Sequence, residues 1–228
     1  MIISFVRIVS ISVISAVFSS LSIISLLFNR HGKGVKFFTK TAAKLVLYTS
    51  GVKSEITGTE LLNPNERYLF ISNHQSYYDI PVLIDSIPND IRFVYKKSLT
   101  WIPFFGWFLY LTGYIPINRK NARLALTSLH KAAKSLVNGR CIAIFPEGTR
   151  SNDGNIHDFK KGMFIIAKEA KQKIVPVTIS GTRKILPKKS LRIRPGKVKV
   201  TISTPLDYKE DKNFLEEIRT IIINNFQN

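Results

Sequence analysis

Cysteine is nearly absent from this chain of 228 residues. Cys141 is the only one, which excludes an intramolecular disulfide and fits a reducing compartment. The four histidines are scattered along the chain, and no cysteine–histidine cluster has the ligand spacing of a zinc site. We therefore expect no metal.

Acidic residues are also scarce. Lys and Arg number 34 against 15 for Asp and Glu, so the formal net charge is +19. Such a surface attracts polyanions, namely nucleic acid, an anionic bilayer or phosphorylated substrates. The chain has neither a helix-turn-helix pattern nor the aromatic and basic sheet pattern that nucleic-acid modules normally show. We therefore expect anionic membrane lipids or phosphorylated substrates as partners, and no nucleic acid.

Charge is missing altogether from Ile8 to Phe28, a run of 21 residues. As a helix this run is about 31 Å long, close to the hydrocarbon thickness of a bilayer. A cleaved signal peptide is the alternative, but the run is long for one and no small-x-small cleavage site follows it. Serines at positions 12, 15, 19 and 22 share one helical face, which suits close approach of a second helix.

That second helix is predicted over residues 33–50. It carries a basic stripe, Lys36, Lys40 and Lys44, and an apolar stripe, Val35, Phe38, Ala42 and Leu45. Such a helix lies at the headgroup boundary of a membrane, although an ordinary helix with a solvated basic face has the same pattern. We predict that residues 1–50 form a membrane-associated helical hairpin and residues 51–228 an α/β domain. If the first helix spans the cell membrane, the excess of Lys and Arg after it predicts a domain on the cytoplasmic face.

The rest of the chain alternates short apolar runs with helical patterns. Five runs are predicted as buried strands: residues 67–72, 92–96, 113–117, 141–145 and 174–179. Helices are predicted over 121–138, 160–171 and 211–226. This alternation predicts an α/β fold with a mixed, partly parallel sheet flanked by helices.

A hairpin is predicted near the end of the chain. Residues 191–200 alternate apolar and basic residues around a Pro-Gly turn. The basic side chains expected on one face of this hairpin are Arg192, Arg194, Lys197 and Lys199.

Three unusual loops follow predicted strands, at residues 73–79, 118–119 and 146–151. In open α/β sheets, ligands bind at the carboxyl ends of the strands. We therefore expect the three loops to converge on one site.

His74 and Asp79 lie in the first of these loops. One interpretation is helix capping, because Ser76 and Asp79 match a capping box with Pro81 in the first turn. The other is general-base catalysis, in which a neutral imidazole takes a proton from a hydroxyl and a carboxylate holds the other ring nitrogen. No conventional nucleophile accompanies the pair, since Cys141 lies in a predicted strand and no G-x-S-x-G elbow occurs. The attacking oxygen would then belong to the substrate.

Basic residues near the other loops indicate a phosphate site. Arg119 and Arg150 lie at the ends of two predicted strands, and Lys160 and Lys161 open the next predicted helix. Arginine binds phosphate oxygens in a bidentate manner, and a helix N-terminus adds N–H donors. Ordinary surface charge is the alternative. Glu147 orients an arginine, accepts a hydrogen bond from a substrate hydroxyl, or is only a turn residue.

An uncharged aromatic segment covers residues 101–111. Its candidate functional residues are Trp101, Phe104, Phe105, Trp107 and Phe108. The segment is a buried core helix, a membrane-dipping segment or the lining of an apolar tunnel. Prolines and glycines at positions 103, 106, 113 and 116 argue against a continuous transmembrane helix here.

Four sequence blocks carry a resemblance to a known family. They are "NHQSYYD" (73–79), "GYIPINR" (113–119), "FPEGTRS" (145–151) and "VPVTI" (175–179). In this order they are similar to the blocks of the 1-acyl-sn-glycerol-3-phosphate (lysophosphatidic acid) acyltransferase family, whose first block is a histidine-x4-aspartate motif. The N-terminal hairpin is similar to the two-helix membrane motif of that family.

The resemblance implies a role for each candidate residue. His74 would deprotonate the free hydroxyl of a lysophospholipid, and Asp79 would orient it. The hydroxyl would attack the thioester of acyl-CoA or acyl carrier protein, with no cofactor. The residues expected to bind the glycerophosphate are Arg119, Glu147, Gly148, Thr149, Arg150, Lys160 and Lys161. The aromatic segment would then contact the acyl chain or the membrane.

Two other functions stay open. One is the same chemistry on another acceptor, such as glycerol 3-phosphate, a different lysophospholipid or a lyso-ornithine lipid. A non-enzymatic protein that binds anionic membranes or nucleic acid would explain the charge alone.

Overall fold

A computed structural model describes residues 2–28, 32–118, 121–160, 162–211 and 213–227. Their α-helices are α1 (Ile2–Phe28), α2 (Lys33–Ser50), α3 (Asp79–Ser86), α4 (Phe105–Leu111), α5 (Ala122–Val137), α6 (Gly162–Ala170), α7 (Thr182–Ile185) and α8 (Phe214–Asn225). Their strands are β1 (Val52–Thr57), β2 (Tyr68–Ser72), β3 (Ile91–Lys96), β4 (Ile115–Ile117), β5 (Cys141–Ile144), β6 (Lys173–Ser180) and β7 (Gly196–Ile202).

The seven strands form one mixed sheet in the order β1-β7-β6-β2-β5-β3-β4. Neighbouring strands are parallel, except that β6 and β7 are antiparallel. Strand β2 lies between β6 and β5, and all of its residues are buried. A strand that is covered on both faces is apolar throughout, as "YLFIS" is.

Helices cover both faces of the sheet. Phe70 of β2 packs with α2, α3 and α4, whereas its neighbours Leu69 and Ile71 pack with α5, α6 and α8. Successive side chains of a strand point to opposite faces, so one strand contributes to both cores. The predicted mixed sheet flanked by helices is confirmed.

The predicted hairpin at residues 191–200 is wrong. Residues 191–195 form no strand, and β7 pairs with β1 in parallel and with β6 in antiparallel orientation. The parallel partner β1 was not predicted, because Val52 and Ile56 are its only large apolar residues. The other predicted strands and helices occur with ends shifted by at most three residues.

Helix α2 folds back along α1. Phe18 lies near Phe38, and Ser25 packs against Gly34, so the two helices run antiparallel. Ser19 and Ser22 are buried, and a side chain at position 34 would collide with Ser25. The predicted serine face is therefore buried only at Ser19 and Ser22, where α2 packs, and Ser12 is exposed.

Helix α1 is long and apolar enough to cross a membrane, and no other helix in the described ranges is. Its most apolar window has a mean hydropathy of 2.2, and only 11% of that window is buried. Its first two turns contact the α/β domain, because Arg7 Nη1 and Ser4 Oγ both donate to the carbonyl of Ile193, at 3.0 and 3.4 Å.

Candidate active site

Three loops meet at the carboxyl edge of the sheet. They follow β2 (residues 73–78), β5 (145–151) and β6 (181–188). Because β5 and β6 both run parallel to β2, their loops leave on the same side. Two of these loops were predicted to converge, and the loop after β6 was not. The third predicted loop follows β4, three positions from β2 in the sheet, and its Arg119 lies outside the described residues.

His74 and Asp79 are in contact. Asp79 is the first residue of α3, and its Oδ2 lies 2.7 Å from His74 Nδ1. The same oxygen accepts the backbone N–H groups of Gln75 and Ser76, at 2.7 and 2.9 Å. Oδ1 accepts the hydroxyl of Thr182, and the side chain is fully buried. Three donors besides the imidazole therefore hold the carboxylate in place against His74.

Helix capping and imidazole orientation are combined in this loop. The N–H of Ser76 donates to Asp79, as in a capping box. The reciprocal bond is replaced, because Ser76 Oγ accepts from the N–H of Tyr78 and donates to the carbonyl of Leu186, at 3.2 and 2.8 Å. Asp79 thus satisfies the backbone at the start of α3 and binds His74 at the same time.

The imidazole of His74 stacks on the ring of Phe145, and one of its two nitrogens is bound to Asp79. Phe145 stacks on it with ring centroids 4.0 Å apart and planes 12° apart. With Nδ1–H donated to Asp79, Nε2 carries the lone pair, an assignment made from the hydrogen-bond geometry. Nε2 has no hydrogen-bond partner within the described part of the chain. The side chain is 12% exposed, so this nitrogen is accessible to a small acceptor group.

Asn73, directly before His74, binds the backbone of Ile179 in β6. Its amide donates to the carbonyl of Ile179 at 2.8 Å and accepts the N–H of Ile179 at 2.9 Å. These two bonds replace a backbone ladder where β2 ends, and Asn73 is fully buried. They fix the backbone from which His74 projects.

Glu147, in the loop after β5, binds the backbone N–H groups of His74 and His157. Its Oε1 accepts the backbone N–H of His74 at 2.7 Å, and its Oε2 accepts that of His157 at 3.1 Å. Burial raises the pKa of Glu147, because desolvation of the carboxylate outweighs the two backbone hydrogen bonds that lower it. These contacts favour a positioning role for Glu147, and its contact with a substrate remains a prediction.

A tight turn places Lys160 beside Gly148. Gly148 has φ of +71°, and its N–H donates to the carbonyl of Phe145. A side chain here would meet Lys160 Nζ at 2.9 Å. The positive φ therefore favours glycine here, whereas a Cβ would only displace the end of the flexible Lys160 side chain. The neighbouring Lys161 lies outside the described residues.

Arg150 and Lys188 bring two more cations to this edge. The Arg150 guanidinium stacks 3.6 Å from the ring centroid of Tyr77, which links the loop after β5 to the loop after β2. Lys188 Nζ donates to the carbonyl of Arg150 at 2.7 Å and to Thr149 Oγ1 at 3.2 Å. Positive charge therefore surrounds residues 148–150.

Lys188 and Thr182 were not predicted as site residues. Neither stands at a recognisable motif, and both reach the site from the loop after β6, about a hundred residues from Asp79. The apolar run before Gly181 was the only local sign that a strand end, and hence a loop at this edge, lay nearby.

An apolar cavity of ≈ 550 Å³ opens beside the loop of His74. Its walls come from α1, α2, α3 and α4, and Tyr77 and Tyr78 of the loop also line it. Phe105 and Phe108 of the aromatic segment line the cavity as well. The exposed members of the segment are Trp101 (81%), Phe104 (49%) and Trp107 (53%). The aromatic segment is thus divided between a cavity wall and an outer surface.

The architecture combines an α/β sheet and a histidine–carboxylate pair at its carboxyl edge with basic loops and a nearby apolar cavity. The family model described as Acyltransferase matches residues 53–180. The chain belongs to this family.

Several curated relatives are named 1-acyl-sn-glycerol-3-phosphate acyltransferase. The chain is 37% identical to one from Chlamydomonas reinhardtii over 156 residues, covering 68% of this chain and 47% of that protein. It is 34% identical to a chloroplastic one from Arabidopsis thaliana over 188 residues, covering 82% and 52%. With the alpha enzyme of Homo sapiens it shares 30% over 162 residues, covering 71% and 57%. The chain matches only about half the length of these relatives.

The fold is also that of a solved structure. The crystal structure of the 1-acyl-sn-glycerophosphate (LPA) acyltransferase PlsC from Thermotoga maritima superposes with a TM-score of 0.86. The alignment covers 98% of this chain and 92% of that chain at 23% identity. This likeness supports the fold over nearly the whole length, including the N-terminal helices.

Proposed function

We propose that this protein is a 1-acylglycerol-3-phosphate O-acyltransferase. It transfers an acyl chain from acyl-CoA or acyl carrier protein to the sn-2 hydroxyl of lysophosphatidic acid, and the product is phosphatidic acid for phospholipid biosynthesis. The observation that carries the proposal is the contact between His74 and Asp79, in a loop that also meets the basic side chain of Arg150 and lines an apolar cavity through Tyr77 and Tyr78. The names of the relatives support the same activity.

The proposed chemistry begins at Nε2 of His74. This nitrogen takes the proton of the acceptor hydroxyl, and the oxygen forms a bond to the thioester carbonyl. The tetrahedral intermediate then expels the thiolate, which receives the proton from the imidazolium. The histidine ends neutral, so the cycle needs no cofactor. Asp79 binds Nδ1–H throughout and stabilises the imidazolium that forms between the two steps.

The phosphate of the acceptor is proposed to bind at the basic loops. Arg150 and Lys160 supply the charge, with Arg119 and Lys161 as further candidates. The face of the Arg150 guanidinium packs on the ring of Tyr77, so the N–H groups along its edge can bind the phosphate. Gly148 and Thr149 shape the loop, and Glu147 positions it from behind.

The acyl chain is proposed to lie in the apolar cavity. Phe105 and Phe108 line it, whereas Trp101, Phe104 and Trp107 face outward and suit contact with lipid. A cavity between α1, α2 and the sheet domain would let a chain enter from the bilayer without crossing water. Aromatic residues are favoured at the membrane interface, where one end of the ring is apolar and the other is wet.

Membrane association is proposed to occur through residues 1–50, with residues 51–228 as the acyltransferase domain. The outer face of α1 exposes Phe5, Val9, Val13 and Val17, while its inner face lines the cavity along much of its length. The contact of Arg7 with the domain, and the length of α1 that lines the cavity from Ile8 to Ser22, favour a helix that lies within one leaflet rather than crossing both. We place the protein on the cytoplasmic face of the cell membrane.

A panel of acceptors tests the substrate. Purified protein with one acyl donor is assayed on lysophosphatidic acid, glycerol 3-phosphate, other lysophospholipids and a lyso-ornithine lipid. We expect the highest kcat/KM with lysophosphatidic acid. A preference for any other acceptor would reject the assignment but keep the chemistry. A parallel panel of acyl-CoA and acyl carrier protein thioesters of defined chain length identifies the donor.

A further inference from the structure

The loop between α7 and β7 exposes an apolar side chain among cations. Leu191 is 79% exposed, and the side chains of Lys189, Arg192 and Arg194 around it are exposed as well. Ile193, in their midst, is buried and lines the apolar cavity. The sequence holds no acidic residue from position 170 to 206, so no carboxylate from this stretch neutralises the loop.

The backbone of this loop is ordered by its own hydrogen bonds. The N–H of Ser190 donates to the carbonyl of Pro187 at 3.1 Å, which closes a turn with Lys189 at φ of +67°. The N–H of Arg192 then donates to Ser190 Oγ at 3.0 Å, and that of Arg194 to the carbonyl of Ile185 at 2.9 Å. The outward direction of Leu191 is therefore built into the turn.

The loop is continuous with the first turns of α1. Both Arg7 and Ser4 donate to the carbonyl of Ile193. Beside them, Ile3 and Phe5 are each 68% exposed. Leu191 is thus two residues from the contact with α1, whose first turns also expose apolar side chains, and basic residues flank it in the loop.

The other end of the loop contacts the proposed phosphate site. Ser76 donates to the carbonyl of Leu186, and Lys188 donates to the carbonyl of Arg150. One short segment therefore connects α1 to the loops that carry His74 and Arg150.

We propose that residues 189–194 form a second membrane contact, in which Leu191 enters the bilayer interface and Lys189, Arg192 and Arg194 bind anionic lipid headgroups. This inference rests on the proposed function, since it assumes that the protein works at a membrane. An exposed apolar side chain flanked by basic residues matches an anionic bilayer, in which the negatively charged headgroups lie above the hydrocarbon. The continuity with α1 favours a bilayer over a nucleic acid, which would leave Leu191 without a partner.

An environment-sensitive fluorophore on Leu191→Cys tests the contact directly. The full-length chain carries Cys141→Ser, so that the label attaches at one site only, and Glu216→Cys on α8 provides the control position on the opposite face of the sheet. With vesicles of phosphatidylcholine and phosphatidylglycerol, we expect a blue-shifted, brighter emission at position 191 and no change at position 216. Bound protein with a water-like emission at position 191 would overturn the inference and leave the proposed function intact. No binding to any vesicle would overturn this inference and the proposed membrane association together, whereas the proposed reaction is tested separately by the acceptor panel.

A charge-matched pair of variants tests the headgroups. Replacing Lys189, Arg192 and Arg194 by glutamine should lower partitioning into the mixed vesicles about 100-fold at low salt. The matched control replaces the exposed Arg123, Lys131 and Lys134 of α5 by glutamine and should change partitioning less than about threefold. Equal losses in both variants, or equal binding to pure phosphatidylcholine, would reject a specific anionic contact. Tighter binding to a DNA duplex than to mixed vesicles would assign the loop to nucleic acid instead.

Discussion

At the scale of single residues, the Asp79 carboxylate has two structural roles. It satisfies the backbone at the start of α3 and fixes the His74 ring, while Thr182 occupies its second oxygen. Sequence spacing alone left capping and catalysis as alternatives, because both use an acidic residue at that position. The structure combines them, since a carboxylate with two oxygens accepts several hydrogen bonds at once.

Replacing His74 by alanine removes the proposed base. We expect a loss of about a hundred- to ten-thousand-fold in kcat, with little change in the free energy of unfolding. Steady-state kinetics and thermal unfolding of the purified variant measure the two effects. His130→Ala, at an exposed position of α5, is the matched control and should keep full activity. Unchanged activity of His74→Ala would contradict the proposed reaction and favour the non-enzymatic alternative.

Replacing Asp79 by asparagine keeps the shape of the side chain but turns one acceptor into a donor. With the amide nitrogen facing Thr182, whose hydroxyl can accept a hydrogen bond, the remaining oxygen still meets the three donors around Oδ2, but the hydrogen bonds are no longer charge-assisted. We therefore expect a destabilisation of about 1–3 kcal/mol. The imidazole loses its negatively charged partner, and kcat should fall about a hundredfold or more. Thermal unfolding and kinetics separate the two effects, with Asp207→Asn on the surface as the control. A stable, fully active variant would show that the carboxylate only caps the helix.

Arg150→Ala should weaken binding of the phosphorylated acceptor. Loss of a hydrogen bond to a charged group costs about 1.5–3 kcal/mol, which corresponds to a rise in KM of about 10- to 100-fold. The KM of the acyl donor should change much less. Arg150→Lys restores charge without the planar group and should recover only part of the affinity, whereas Arg123→Ala on α5 should have no effect. An unchanged KM for lysophosphatidic acid would remove Arg150 from the phosphate site.

At the scale of elements, α1, α2 and α4 together line the apolar cavity, which the sequence of any one of these helices does not predict. The serine stripe of α1 was predicted to receive a second helix, and Ser19 and Ser22 do pack at that face. The aromatic segment allowed three interpretations, because its composition fits core, tunnel and membrane contact alike. Packing against α1 and the sheet buries Phe108 and leaves Trp107 exposed, so the two sides of one short helix differ.

Filling the cavity should shorten the acyl chains that the enzyme accepts. Ala42 lines the cavity, and Ala42→Phe would occupy part of its volume. Each methylene that can no longer be buried costs about 0.8 kcal/mol, or about fourfold in kcat/KM for the longest donors. Short-chain donors should react as before. Val13→Phe, on the exposed face of α1, is the control, and an unchanged chain-length profile for Ala42→Phe would place the acyl chain elsewhere.

At the scale of the whole molecule, the N-terminal helices belong to the core as well as to the proposed membrane surface. Val35 and Leu47 of α2 are buried with the core residues of the sheet, and Ser50 contacts the hydroxyl of Tyr78. The whole sheet also explains why a proline is tolerated at position 176.

Pro176 lies within β6 and pairs with β2. On the other side of β6, pairing with β7 starts only at Val177, so the N–H that proline lacks would lie at the end of β7 and is not needed for the ladder.

Deleting residues 1–50 should therefore destabilise the protein as well as detach it from membranes. Removal exposes the apolar face that α2 covers, and we expect aggregation or a loss of several kcal/mol in the free energy of unfolding. Substituting lysine for Val9, Val13 and Val17 is the sharper experiment, because these side chains face outward. This variant should keep its thermal stability and lose binding to vesicles in a sedimentation assay. Full retention of binding would exclude the outer face of α1 as the anchor.

Local spacing along the chain predicted the long helices and the apolar strands, and their alternation predicted the mixed sheet. It also placed His74 close to Asp79, but it left capping and catalysis as alternatives. These features depend on residues within a few positions of one another, where periodicity and turn chemistry act. The pairing of β1 with β7, the approach of Thr182 and Lys188 to the site and the walls of the cavity became known only from the folded chain. Each depends on contacts between segments far apart in sequence, and many arrangements of those segments satisfy the same local patterns.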